Sequence, residues 1–361
     1  MNQSSRKSIF KEDFTIQQSQ GTTNTPLSYT MIWRSKLVNI YRLNIGPNAS
    51  KSRRNKWIVQ SILVTTAGLG VAYTINKSED NDRPTELQPE YFTPYKITRK
   101  VANDSNHFII ELTPNVAQKT NLWSQLTNRK IWSVEVKQPE IMVTRNYTPL
   151  PLQFVNGHSD DLKVINQNDT ENNNNNGKLV LFIKNYDQGE VSKWIANLPL
   201  NHTIEIRGPF VEYSIPKQVN KVNFFAAGTA IVGPLQLLLN PYSNYQNNHK
   251  LNIFYSCGNI QKELGPIGNI LSNHISQNTS TINLNCFEDS KNQNIGKNIK
   301  MFTSLIPAPS SSPDNTNVSL VCGPDRYIET IAGKRYDLSQ GPVKGLLSKK
   351  GWSNKNVYKL S

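Results

Sequence analysis

Apolar and polar positions along this chain follow two grammars, and one apolar block belongs to neither. The block is residues 57–75, WIVQSILVTTAGLGVAYTI, nineteen residues without a charge. As a helix it would reach about 28 Å, close to the roughly 30 Å of membrane hydrocarbon. A buried core helix would show the same pattern. The basic run KSRRNK before it and the acidic, proline-containing NKSEDNDRPTELQPE after it favour a single transmembrane helix, with the basic flank on the matrix or cytoplasmic side. The rest of the chain is then expected on the opposite side. Residues 76–90, charged and without an apolar period, read as a linker.

The first grammar runs from 91 to 217. YKITRKV, HFIIEL, IWSVEV, IMVTRNY, KLVLFIK and HTIEIRGPF are short alternating, β-branched or aromatic runs separated by Asn, Asp and Pro. Six such strands in about 120 residues predict an antiparallel β barrel. NQNDTENNNNNG, residues 166–177, cannot bury enough apolar surface to fold and is expected to be a disordered surface loop. The second grammar begins at 218. KVNFFAAGT, KLNIFYSCG, STINLNCF and VSLVCGP are apolar strands, with AIVGPLQLLLN and further helical segments between them. Strand–helix alternation predicts a parallel α/β sheet covered on both faces, a Rossmann-like domain over 218–361. A length of 361 residues accommodates both domains.

Charge alters the picture only at the N-terminus. Of a net +14, eight charges come from residues 1–56, with ten Lys/Arg against two Asp/Glu. That is the composition of a targeting segment. A nucleic-acid partner would require a basic stripe on the folded part, so none is expected. Cys257, Cys286 and Cys322 are widely spaced, and the five histidines show no ligand spacing. No disulfide framework, bound metal or haem-attachment motif is expected.

Short polar motifs then stand out in order. In VTRNYTPL, residues 143–150, Arg145 and Tyr147 face one side of a strand and Thr148 follows. An arginine fork suits phosphate, a tyrosine ring suits a flat ligand, and a hydroxyl suits its polar edge. An ordinary exposed strand end would give the same residues. Ile183, Lys184 and Tyr186 lie in IKNY, and strand packing with a solvated lysine accounts for them equally. Gly189, Val191 and Ser192 open a helix in GEVS, which makes either a phosphate site or a helix capped by Ser192. Gly228 and Thr229 lie in AGT, after the Gly208–Pro209 pair. Cys322, Gly323 and Pro324 form CGP, where a small buried hydrophobe at a strand end would read the same as a functional cysteine.

Together these motifs resemble the ferredoxin-reductase-like flavoproteins, the superfamily of NADH–cytochrome b5 reductase, over residues 91–361. The resemblance implies FAD on the barrel. It assigns Arg145, Gly189, Val191 and Ser192 to the pyrophosphate, Tyr147 to the flavin or ribityl chain, Thr148 to the isoalloxazine edge, and Ile183, Lys184 and Tyr186 to the adenosine half. It implies NADH or NADPH at Gly228, Thr229, Cys322, Gly323 and Pro324. Cys322 would lie beside the hydride-giving carbon, so Thr148 and Cys322 are the expected catalytic residues. The family's G-G-T-G-I-x-P is here AAGTAIVGP, with Ala227 and Ala230 at glycine positions and one extra residue before Pro234. Each adds a methyl group where a pyrophosphate approaches the backbone. FYSCGNI carries no arginine for a ribose phosphate, which favours NADH. Asp325 replaces a second proline, and Tyr358 is the candidate for a terminal aromatic on the flavin.

The whole combination, with the ending GPVKGLLSKKGWSNKNVYKL, is similar to a fungal mitochondrial flavoprotein family that assists haem attachment to cytochrome c. That implies a single-pass protein of the inner mitochondrial membrane with its FAD domain in the intermembrane space. It implies electron flow from NAD(P)H through flavin to haem, with cytochrome c and its haem lyase as partners. A non-enzymatic factor that docks cytochrome c and its lyase is the alternative suggested by the altered glycine loop.

Overall fold

The computed structural model describes residues 85–360 except 127–128, 156–159, 169–176, 243–248, 289–294, 311–315 and 337–338. The targeting segment at 1–56, the span expected at 57–75, the linker up to residue 84 and most of the asparagine-rich loop lie outside the described residues. Among the described residues no helix is long and apolar enough to cross a membrane. The longest has twelve residues, Pro266–Gln277, about 18 Å against the roughly 30 Å required. The expectation of a single-pass inner-membrane protein, with its transmembrane helix and its intermembrane-space orientation, is corrected accordingly.

The first grammar folds into β1 (Thr93–Ala102), β2 (His107–Pro114), β3 (Lys130–Gln138), β4 (Val143–Tyr147), β5 (Leu152–Phe154), β6 (Leu162–Val164), β7 (Leu179–Lys184) and β8 (Thr203–Ser214). Six of these form one antiparallel sheet in the order β4-β3-β8-β1-β2-β7. The expected closed barrel is corrected to an open, curled sheet, because β4 and β7 stand at its two edges. Between them the described residues show one isolated bridge, with the Leu150 N–H donating to the Val180 carbonyl at 2.8 Å. The cause is local. Leu150 is flanked by Pro149 and Pro151, neither of which has an N–H to extend a ladder. Register shifts in the β1–β2 and β3–β8 pairs add curl.

Strands β2 and β7 read as continuous apolar runs because both faces are covered. Phe108, Ile110, Leu181 and Ile183 enter the core inside the curl, with Trp132 and Ile195. The alternate residues Ile109, Val180 and Phe182 join a second core. That core also takes Leu152 and Phe154 of the small β5–β6 hairpin. The hairpin was missed in the sequence because three-residue strands carry too little alternation.

Among the described residues this part also carries the helices α1 (Leu122–Gln125) and α2 (Glu190–Asn197). The second grammar gives β9 (Val219–Ala227), a 3₁₀ turn (Gly228–Ile231), α3 (Val232–Leu239), β10 (Lys250–Cys257), α4 (Ile260–Leu264), α5 (Pro266–Gln277), β11 (Ile282–Glu288), α6 (Ile295–Leu305), β12 (Thr316–Cys322), α7 (Asp325–Ala332), α8 (Gly345–Lys349) and β13 (Val357–Lys359). Its five strands are parallel, in the order β11-β10-β9-β12-β13. Successive residues of β9 face opposite layers. Phe224 packs in the core shared with the first sheet, while Phe225 stacks on Phe254 at 4.6 Å in the core beneath α6 and α7. From β9 the chain runs outward to β10 and β11, then returns to add β12 and β13 on the other side. The switch point between β9 and β12 is where an open α/β sheet takes its ligand.

The last strand is held by an unusual residue. Lys359 is 1% exposed, and its ammonium donates to the carbonyls of Lys334, Gln340 and Pro342 at 2.9, 2.7 and 3.1 Å. Three carbonyl dipoles offset the lost hydration, and burial still pulls its pKa below the usual lysine value.

Candidate functional site

The seam between β4 and β7 and the switch point between β9 and β12 open into one cleft of about 370 Å³. The first sheet contributes the end of β4, the end of β7 and the start of α2. The second contributes the C-terminal ends of β9 and β12. The prolines that prevent barrel closure therefore also leave room for a ligand.

Arg145 and Tyr147 both line this cleft, with Thr148 beside them. The Arg145 guanidinium donates to the Thr144 carbonyl at 2.8 Å and to Glu190 Oε2 at 3.2 Å. Its side chain and that of Glu190 are 58% and 52% exposed. An ion pair this open is worth little, so the guanidinium can be drawn to a stronger anion. The Tyr147 ring packs against the core inside the curl, and burial pushes its phenol above the usual tyrosine value.

At the start of α2 the N-cap is Gly189, and no side chain caps the first turn. Ser192 sits in the third helical position, so capping by Ser192 does not explain the motif. Its hydroxyl instead accepts from the Tyr186 N–H at 3.4 Å. A Cβ at Gly189 would collide with Ser192 Oγ and lie 3.0 Å from Tyr186 Cβ, so this approach of loop to helix requires glycine. Val191 is buried beneath the turn. Ile183 is also buried, while Lys184 Nζ lies 5.5 Å over the Tyr186 ring. Tyr186 and Thr229 both line the cleft, and burial raises the Tyr186 phenol pKa, with the Thr229 side chain opposing the shift.

On the second sheet Thr229, Cys322, Gly323 and Pro324 line the cleft. Gly228 opens the 3₁₀ turn at φ 58° but is not part of the lining. Ala227 and Ala230, the departures from the glycine pattern, are part of it. Tyr358 is not: its ring packs on Tyr213 at 4.6 Å. Sequence reasoning also missed Phe182, Glu190 and Val232. Glu190 occupies an unspecified position of G-x-x-S, so the motif could not flag its charge.

Burial, reinforced by the nearby Glu212 carboxylate, pushes the Cys322 thiol up to about 12, with Arg335 opposing the shift. A raised thiol pKa means that Cys322 stays protonated across neutral pH and is no nucleophile. Alkylation of Cys322 by iodoacetamide, followed by mass spectrometry, is expected to be slow at pH 7–9 and to accelerate only above about pH 10. Full labelling at pH 8 at the rate of an exposed cysteine would contradict this.

A cationic fork, an uncapped helix start and apolar walls at Phe182, Val191 and Val232 are the donors and surfaces that a flavin dinucleotide needs. Residues 154–215 match the family model described as oxidoreductase FAD-binding domain. The chain is 38% identical to the cytochrome c mitochondrial import factor of Saccharomyces cerevisiae, over 92% of this chain and 100% of that protein. The chain belongs to this import-factor family.

The family lies among the FAD-dependent oxidoreductases related to NADH–cytochrome b5 reductase. The NADH–cytochrome b5 reductase 2 of Kluyveromyces lactis is 23% identical over 86% of this chain and 99% of its own length. The cytochrome b5 reductase domain of Ulva prolifera nitrate reductase shares the fold, with a TM-score of 0.53 and 16% identity over 77% of this chain and 100% of that domain. This chain is thus an FAD-binding, NAD(P)H-dependent oxidoreductase. Among the described residues, no three His, Cys, Asp or Glu side chains converge as metal ligands.

Proposed function

We propose that this enzyme passes electrons from NADH through FAD to haem or a haem protein, in support of haem attachment to cytochrome c. The observation that carries the reading is the single cleft. It joins a diphosphate-type site, Arg145 with the start of α2, to the switch point of a parallel sheet. Bound FAD supplies the hydride acceptor and the store from which electrons leave.

The chain's own residues bind and orient. Arg145 and the first-turn N–H groups of α2 neutralise the pyrophosphate. Tyr147 offers its ring to the flavin or ribityl chain, and Thr148 offers its hydroxyl to the isoalloxazine edge. Ile183, Lys184 and Tyr186 border the adenosine half. Gly228, Thr229, Cys322, Gly323 and Pro324 seat the nicotinamide side. A protonated Cys322 keeps ionised charge away from the transferring carbon. In this reading residues 91–217 hold the flavin and 218–361 the pyridine nucleotide. The absence of arginine in FYSCGNI favours NADH over NADPH.

The haem acceptor is supported by the yeast relative, whose name ties it to cytochrome c. A second reading, a non-enzymatic factor that docks cytochrome c and its haem lyase, draws on Ala227 and Ala230 in the lining. The purified full chain, mixed anaerobically with NADH and ferric cytochrome c, separates the two. The first reading expects catalytic appearance of ferrous cytochrome c. Flavin bleaching without haem reduction would refute the acceptor, and no bleaching would favour the docking factor.

A further inference from the structure

Gln236 lies inside the apolar run of α3 and is 1% exposed. Its polar atoms all bond to the first sheet. Oε1 accepts from the Trp132 N–H at 2.9 Å. Nε2 donates to the Trp132 carbonyl at 3.0 Å and to the Pro149 carbonyl at 2.9 Å. One acceptor and two donors are all in use, which fixes the orientation of the amide. The partners are available for a reason. Continuing the β3–β4 register, in which Val134 lies opposite Tyr147, brings Trp132 opposite Pro149, which has no N–H to offer. The Gln236 amide replaces the missing peptide partner.

The two ends of this link matter. Pro149 follows Thr148 at the edge of the cleft. The helix carrying Gln236 follows directly from the turn Gly228–Ile231 on the opposite wall. We infer that Gln236 is a positioning residue that sets the distance between the flavin-side strand end at Thr148 and the nicotinamide-side turn at Gly228–Ile231. The inference rests on the flavin and nicotinamide assignments proposed above. Hydride transfer is steeply sensitive to such a distance: a displacement of about 1 Å costs on the order of 100-fold in rate.

The test uses the full FAD-loaded chain and two variants. Gln236→Met keeps length and removes all three bonds. Gln236→Glu keeps an acceptor for the Trp132 N–H and removes at least one of the two donations, since a carboxyl carries at most one proton. Hydrogen exchange reads the Trp132 and 228–231 amides, flavin absorbance reads occupancy, and anaerobic stopped flow reads reduction by NADH and by dithionite. Gln236→Met is expected to speed exchange at both places and to slow reduction by NADH about 10- to 100-fold, with FAD occupancy and dithionite reduction unchanged. Gln236→Glu is expected to retain protection at Trp132 while losing it at 228–231 and slowing NADH.

Wild-type exchange at 228–231 together with wild-type NADH reduction in either variant would overturn the inference. Should Gln236→Met not fold, Gln236→Glu decides. A wild-type protein that NADH does not reduce would refute the proposed electron donor instead, and exchange at 228–231 would still decide the role of Gln236.

Discussion

Arg145→Ala is expected to yield a protein that folds but loses most of its FAD on purification. Truncating a charge-assisted, forked contact to a phosphate costs about 1.5–3 kcal/mol, roughly a 10- to 100-fold weaker dissociation constant. Folding should be spared, because the Arg145 side chain is 58% exposed and is paired with the similarly open Glu190. Glu190 gives the control of opposite sign. Its carboxylate sits in the first turn of α2, 3.2 Å from the guanidinium, where it competes with a diphosphate for both. Glu190→Gln should tighten FAD a few-fold, roughly the worth of one exposed charge pair. Fluorescence titration of the apoprotein with FAD measures both. Stoichiometric flavin in purified Arg145→Ala would remove Arg145 from the site.

The second large effect is expected at Gly323. Its φ is 151°, and an added Cβ would lie 3.0 Å from both Ala227 Cβ and Tyr327 Cδ1. The loop after β12 thus comes close to the last residue of β9 and to α7, and a side chain there adds bulk to the lining of the cleft on the proposed nicotinamide side. Gly323→Val should slow flavin reduction by NADH at least about 100-fold, since positive-φ strain of about 1–3 kcal/mol adds to the blockage. FAD should stay bound, because its expected contacts come from the first sheet. Stopped-flow reduction by NADH, set against dithionite, measures this. Equal slowing with dithionite would mean that the flavin side has been disturbed instead.

Ala227 bears on the same point. Its methyl group would lie 3.0 Å from a side chain added at Gly323, so an alanine at a glycine position stands beside Gly323 in the lining of the crevice.

What the sequence disclosed follows burial. Strands β2 and β7 were legible as apolar runs because both faces are covered, and β9 and β12 because a parallel sheet is buried on both sides. The β5–β6 hairpin was not, since Leu152–Phe154 and Leu162–Val164 are too short to alternate. Proline was legible as a separator between strand runs, without Pro149 and Pro151 being singled out as a pair. Their larger consequence, an open seam in place of a closed barrel, depends on which strand would have been the neighbour, and that is a tertiary fact. Arg145, Tyr147, Thr148 and the GEVS turn could be picked out because chemistry and spacing coincide. Gln236 could not, because one glutamine within PLQLLL reveals nothing of the Trp132 and Pro149 backbone groups it bridges. The apolar block at 57–75 was the strongest single signal in the chain, and it lies outside the described residues.

The most direct test of the central claim is the visible absorption spectrum of the purified full chain before and after anaerobic addition of NADH. The account predicts a yellow protein with an oxidised flavin spectrum that bleaches on mixing. A protein that is colourless as purified and takes up no added FAD, or a flavin that NADH leaves oxidised, would contradict it.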